Sequence, residues 1–146
     1  MTELIDKARS LAKKVHDGQR DKLGVAYMEH VEAVATEVAS LGENYTIVAL
    51  LHDTVEDTDD PTLVNLDMIA DMFGDNVAQA VDAMTKRSGE VYVDYLARVS
   101  ANPIAKPVKL ADVAHNMSRL SMLTDVSTRE RLQQKYQRAQ RTLKPL

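Results

Sequence analysis

The chain has 146 residues, of which 45% are apolar and only 4% aromatic, with no Trp and no Cys. That length suits a single domain over residues 1–146 with an aliphatic core, and the missing cysteines exclude disulfides and thiolate metal sites. The 22 acidic and 18 basic side chains leave a net charge of −4, which argues against nucleic acid as a partner.

No basic stretch leads into an apolar block near Met1, and no apolar run approaches the length of a bilayer span. Neither a secretory signal nor a membrane partner is expected, and the compartment read is the cytoplasm.

Leu4, Ile5, Ala8, Leu11, Ala12 and Val15 recur at helical spacing, with Thr2 as the expected N-cap and Gly18 as the stop. Residues 18–26, with a second glycine at Gly24, read as a loop. A second helix is predicted from Tyr27 to near Ser40, stopped by Gly42. Asn44 is the expected cap of a third helix over residues 45–57, with Ile47, Val48, Leu50 and Leu51 on its apolar face and Thr58-Asp59-Asp60-Pro61 at its end. Helices over 65–72, 75–86 and 91–100 follow, with a turn at Lys86–Gly89. Asn102-Pro103 fits an N-cap and first helical position, opening a helix that reaches Leu120. The last helix runs from Ser127 to Leu143, with Leu132, Tyr136, Ala139 and Leu143 on one side; its many arginines read as a solvated face. No segment alternates like a strand. The fold class is all-α, a bundle of about six to eight helices.

The chemistry concentrates in Leu50-Leu51-His52-Asp53-Thr54-Val55-Glu56-Asp57-Thr58. On a continuous helix His52 and Glu56 stand at i,i+4, as do Asp53 and Asp57, so the two pairs stack on one surface. Imidazole with carboxylate suits a divalent cation, and a spare carboxylate beside it suits a hydrolytic water. His30 lies among residues that read as buried. Asp112 follows the apolar stretch from Val108, and burying an unpaired carboxylate costs several kcal/mol, so it needs a metal, a cation or solvent. Asn116 shares its face one turn on. Taken singly, each of these residues also fits a plainer role as a hydrogen-bonded core histidine or a surface acid. His16 and His115 read as structural, the first ordering the glycine loop and the second supporting Asp112. Lys22, Lys86, Arg87 and Lys109 are candidate phosphate cations, with Lys86 and Arg87 better read as solvated. Tyr92 and Tyr95 share a face, and one of them belongs to the core.

Several motifs occur together in order: His16-Asp17-Gly18-Gln19 with Lys22 and Gly24, Tyr27 and His30, the His52-Asp53 segment, Phe73-Gly74-Asp75-Asn76-Val77-Ala78, Thr85-Lys86-Arg87, and Val108-Lys109-Leu110-Ala111-Asp112 with His115-Asn116-Met117. Over residues 8–120 the chain thereby resembles the HD-domain superfamily of metal-dependent phosphohydrolases. More closely it is similar to the hydrolase half of the RelA/SpoT alarmone enzymes of the stringent response and their small stand-alone relatives.

The resemblance implies four metal ligands, His30, His52, Asp53 and Asp112, with manganese (Mn2+) as the usual metal. It makes Glu56 and Asp57 the residues that position or activate the attacking water. Lys22 would pack on the base, Asn116 would lie near the ribose or phosphate, and Tyr27 would stand beside the first metal histidine. The implied activity is removal of the 3′-pyrophosphate of guanosine alarmones (ppGpp and pppGpp) from a small-molecule nucleotide substrate. The alternatives are a phosphatase for another nucleotide, such as NADPH, and a nucleotide-sensing module without turnover. A homo-oligomer is compatible with the sequence.

Two stretches depart from the resemblance. The relatives' loop reads Arg-Lys-Ser-Gly with a proline beyond, whereas this chain has Asp21-Lys22-Leu23-Gly24-Val25-Ala26. Val113-Ala114 stand where the relatives have Arg-Leu. On sequence alone, Asp21→Arg is expected to restore a base-stacking arginine and raise affinity for a guanine nucleotide.

Overall fold

The computed structural model describes residues 3–144 and contains nine α-helical segments. They are α1 (Glu3–Val15), α2 (Tyr27–Val38), α3 (Glu43–Leu51), α4 (Thr54–Asp57), α5 (Leu66–Phe73), α6 (Asp75–Met84), α7 (Tyr92–Ala101), α8 (Ala105–Ser118) and α9 (Val126–Leu143). Short 3-10 turns follow α2 at Ala39–Leu41 and α8 at Leu120–Met122. Since α4 is one turn that continues α3 past a break, the independent helices number eight, and the fold is all-α as expected. Among the described residues no strand forms, and none of the helices is long and apolar enough to cross a membrane.

The position of α3 follows from its composition. Thr46, Ile47, Val48, Ala49, Leu50 and Leu51 are consecutive and all buried, so the helix is apolar round its whole circumference rather than along a stripe. Such a helix must be surrounded. Helices α1, α2, α6 and α8 enclose it, and its C-terminal end delivers His52 and Asp53 into the centre of the molecule. The outer helices have narrower apolar stripes. Leu132, Ala139 and Leu143 of α9 are buried while its arginines face outward, and α9 lies over α7 and α8. Arg9 ties α1 to α2 through two hydrogen bonds to Glu32, at 2.7 and 3.2 Å.

The structure corrects the predicted helix ends in four places. Asn44 does not cap α3; the helix starts two residues earlier, at Glu43 on a Gly42 cap, whose φ of +135° turns the chain straight out of the preceding 3-10 turn. The helix predicted over 45–57 is interrupted at His52-Asp53. There the side chains of His52 and Thr54 donate to the carbonyls of Ala49 and Leu51, at 2.6 and 2.8 Å, and Asp53 leaves regular helix with φ −106° and ψ 0°. Asn102 does cap, accepting from the backbone N–H groups of Ile104 and Ala105, but Pro103 lies in the preceding turn and α8 begins at Ala105. Helix α8 ends at Ser118, short of Leu120, because Arg119 takes the C-cap and a 3-10 turn follows. The Thr2 cap lies outside the described residues. The stop at Gly18 and the loop glycine Gly24 hold, with φ of +74° and +79° that side-chain-bearing residues rarely adopt.

Candidate metal centre and adjoining cavity

Three separated segments meet at the end of α3. Helix α2 supplies His30, the break after α3 supplies His52 and Asp53, and α8 supplies Asp112. One donor atom each from His30, His52 and Asp112 lies within 4.8 Å of the others, and all three residues are buried. His30 Nε2 stands 2.7 Å from Asp112 Oδ1. His52 Nε2 stands 3.1 Å from Asp53 Oδ2 and 3.5 Å from Asp112 Oδ1. The Nδ1–H of His52 is used on the Ala49 carbonyl, while its Nε2 is buried without a hydrogen-bond partner. A buried imidazole nitrogen left free among carboxylates, with its opposite nitrogen fixed by a carbonyl, fits the donor set of a divalent cation. Asp53 sits at the edge of this trio, its Oδ2 also accepting the Tyr27 hydroxyl.

The charges in the cluster compensate one another. Burial alone would raise Asp112, but the Lys109 ammonium, 3.0 Å from Oδ2, together with His30 and His52, holds its carboxyl well below the ordinary carboxylate range. Burial likewise opposes ionisation of Asp53, yet His52 and the Tyr27 hydroxyl bring it down to about 2. Burial disfavours the His52 imidazolium, but Asp53 and Asp112 outweigh it and raise the group well above its usual range. Lys109 was expected to face phosphate; its ammonium is instead engaged by Asp112 and lies 5.4 Å from the centroid of the buried Tyr95 ring. His115 stands behind His30, with its Nδ1 2.7 Å from His30 Nδ1, so one nitrogen donates and the other accepts. That contact holds the orientation of His30, a role legible only as proximity to Asp112 in the sequence.

Glu56 and Asp57 flank the cluster, but not as stacked helical pairs, because the break at His52-Asp53 removes the common helix. Glu56 Oε1 accepts the Lys86 backbone N–H at 2.8 Å. Asp57 Oδ2 accepts from Gln19 Nε2 at 3.3 Å and lies 3.9 Å from His16 Nδ1. His16 Nδ1 is in turn 2.7 Å from Gln19 Oε1, so this histidine orders the glycine loop as expected. Burial raises both carboxyls, and Asp53 adds to the rise in each.

A further set of residues gave no sequence signal. Arg98 makes a two-pronged contact with Glu90 at 2.8 and 2.7 Å and also donates to the carbonyls of Asp82 and Thr85. These bonds fix the turn after α6 whose next residue, Lys86, presents its N–H to Glu56.

Beside the cluster lies a cavity of about 310 Å³ lined by the loop residues Gln19–Leu23, by Tyr27, Asn116 and Arg119, and by Leu120, Leu123, Leu132 and Tyr136. Three of the residues expected to bind substrate, Lys22, Tyr27 and Asn116, therefore share one cavity. Tyr27 connects it to the cluster through its bond to Asp53. Asp21 does not point at the cavity as a free acid. Its Oδ1 accepts the Leu23 and Val25 N–H groups at 2.9 and 3.1 Å, and its Oδ2 pairs with the Arg119 guanidinium. An arginine at 21 would lose both backbone bonds and face Arg119, which reverses the sequence expectation that Asp21→Arg strengthens guanine binding. Tyr95 is the core member of the tyrosine pair, while the ring of Tyr92 lies 5.1 Å below the Lys135 ammonium.

A family profile described as "HD domain" matches residues 8–102, more than half of the chain. The chain belongs to the HD-domain family. Among curated relatives of this HD domain is a GTP pyrophosphokinase of Streptomyces coelicolor, 35% identical over 130 residues that make up 82% of this chain and 15% of the relative. Another is the guanosine-3′,5′-bis(diphosphate) 3′-pyrophosphohydrolase of Aquifex aeolicus, 34% identical over 128 residues, 81% of this chain and 18% of that protein. The HD-domain chain thus spans less than a fifth of the length of either relative. A solved structure of a metazoan ortholog of SpoT, described as hydrolysing ppGpp, superposes with a TM-score of 0.84 over 99% of this chain and 87% of its own, at 23% identity; that likeness is one of fold. Asp112, Asn116, Arg119 and α9 lie beyond the profile match, and the structure brings them to the His30–His52 end of the molecule.

Proposed function

We propose that this HD domain is a metal-dependent nucleotide phosphohydrolase that removes the 3′-pyrophosphate from guanosine alarmones. The buried His30, His52 and Asp112 trio, with a partnerless His52 Nε2, carries the reading. Relatives named for the synthesis or hydrolysis of guanosine pyrophosphates support its substrate side. His30, His52, Asp53 and Asp112 would hold a divalent cation, of which manganese is our choice. When bound, it supplies Lewis acidity to a phosphoryl oxygen and a hydroxide nucleophile near neutral pH.

The chain's own groups do the rest. Glu56, held by the Lys86 N–H, and Asp57, held by Gln19, stand at the rim with carboxyls raised toward neutrality, where such groups exchange protons well. One orients and deprotonates the attacking water, and the other returns a proton to the leaving ribose oxygen. Tyr27 fixes Asp53, while Lys22 and Asn116 line the adjoining cavity where the nucleoside would lie. Water and ppGpp then give GDP and pyrophosphate.

Purified protein incubated with manganese and ppGpp should release GDP and pyrophosphate, and a chelator should stop the release. A parallel panel of NADPH and ordinary nucleotides fixes the substrate. Turnover of NADPH without ppGpp, or of nothing at all, would overturn the proposal.

A further inference from the structure

The cavity beside the metal cluster has one wall whose charge is fixed in place. Arg20 and Lys22 also line it, but both are exposed, and Arg20 is used on the Gly24 carbonyl at 2.7 Å. Arg119 differs from them. Its side chain is only 17% exposed and is gripped by Asp21, a carboxylate already set by two backbone N–H groups of the loop. Leu120, Leu123, Leu132 and Tyr136 complete the lining, an apolar surface that suits the faces of a planar ring. At about 310 Å³ the cavity sits at the small end of organic-ligand pockets.

The hydrogen-bond inventory of this wall is one-sided. Asp21 spends Oδ1 on Leu23 and Val25 and Oδ2 on Arg119, so it offers the cavity no strong free acceptor. Arg119 carries five N–H donors and no acceptor, and the Asp21 contact occupies one edge of the guanidinium. The wall therefore donates. Among purines, a 6-oxo ring presents two neighbouring acceptors, O6 and N7, which match a guanidinium, whereas a 6-amino ring presents a donor beside N7.

We infer that Arg119, locked by Asp21, is the base-reading residue of this pocket and selects a 6-oxopurine nucleotide over a 6-aminopurine one. This deepens the hydrolase reading and rests on it for the position of the nucleotide. It also names a chain-specific device: the cation that the resemblance places in the loop is here carried by the end of α8, and the loop supplies the acid that holds it.

The test measures binding of GDP and ADP by calorimetry, with thermal melting of each variant, beside manganese-dependent hydrolysis of ppGpp and of adenosine 3′,5′-bis(diphosphate). Wild type should prefer GDP by on the order of 10- to 100-fold, the discrimination of one good two-pronged pair. Arg119→Leu should bring the two nucleotides to near-equal affinity. Asp21→Arg should weaken GDP binding and lower the melting temperature. Combining Asp21→Arg with Arg119→Asp should recover part of the melting temperature lost in Asp21→Arg but not the preference for GDP, which separates the structural latch from the reading of the base. Equal binding of GDP and ADP by wild type, or full preference retained in Arg119→Leu, overturns the inference. If ppGpp is not hydrolysed but Arg119→Leu still abolishes the preference, the hydrolase proposal falls and the base-reading assignment stands. If ppGpp and its adenine counterpart are hydrolysed equally, the reverse holds.

Discussion

Glu56 and Asp57 show what a site asks of individual side chains. Both carboxyls are raised by burial and by Asp53, so holding them ionised opposes folding above the ordinary carboxylate range. Glu56→Gln is therefore expected to leave the protein at least as stable at neutral pH, to retain manganese, and to slow turnover by about 100-fold or more. Metal binding, melting and kcat measured on the same preparation check this; undiminished kcat would remove Glu56 from the mechanism. His115 acts one step further out. Losing its contact with His30 is expected to weaken manganese affinity by about 10- to 100-fold, in the range of outer partners of metal histidines, which a manganese titration of His115→Ala reads directly. Unaltered affinity would make His115 a packing residue.

At the scale of elements, α3 and the turn after α6 do different work. Helix α3 packs against α1, α2, α6 and α8, so Leu50→Ala, at a fully buried position, should destabilise by about 2–5 kcal/mol and reduce manganese binding only in proportion to unfolding. A large drop in metal affinity with unchanged stability would place Leu50 in the site rather than under it. The turn at Thr85–Glu90 is held by Arg98 and contains the Lys86 N–H that Glu56 accepts. Arg98→Lys cannot reproduce the two-pronged contact with Glu90. It is expected to lower kcat by about 10-fold, a little over 1 kcal/mol in the barrier. The loss should vanish when Glu56 is already Gln, and additive losses in the double variant would show that the turn does not act through Glu56.

In the whole molecule, His52, Asp53, Lys109 and Asp112 lie close together, and each sets the charge state of the others. The His52 imidazolium, raised by Asp53 and Asp112, stabilises the metal-free protein fully below the ordinary histidine pKa of 6.5, and that contribution is lost as pH rises through its folded value. Asp53 and Asp112, lowered by the same contacts, add stability above the ordinary 3.8 that is lost as pH falls toward their folded values. The contact between them is one interaction and counts once. Metal-free protein should therefore melt highest on the acid side of neutrality, above the ordinary carboxylate range. Manganese binding should release protons at neutral pH, because His52 must give up its Nε2 proton to act as a ligand. At 100 times its dissociation constant, the metal should add about 2.7 kcal/mol of stability. Calorimetry in buffers of different ionisation enthalpy counts the protons, and none released would mean that His52 is not a ligand.

The all-α class, most helix positions and the apolar run that ends at His52-Asp53 were legible in the chain because they rest on local regularities: apolar periodicity, the glycines, and the change from aliphatic side chains to an imidazole and an acid. Asn44 and Pro103 misled because a glycine of positive φ and a side-chain-capped turn set those helix starts, and residue type alone does not weigh such competitors. Only the tertiary structure decided that the third helix breaks at His52. It also showed that Lys109 answers Asp112 rather than the cavity, that His115 backs His30, and that Asp21 holds Arg119 across 98 positions of sequence. Each of these is a contact between segments far apart in the chain. Charge and hydrogen-bond pairing at such separations depend on where packing places the side chains, and local pattern carries no trace of that placement.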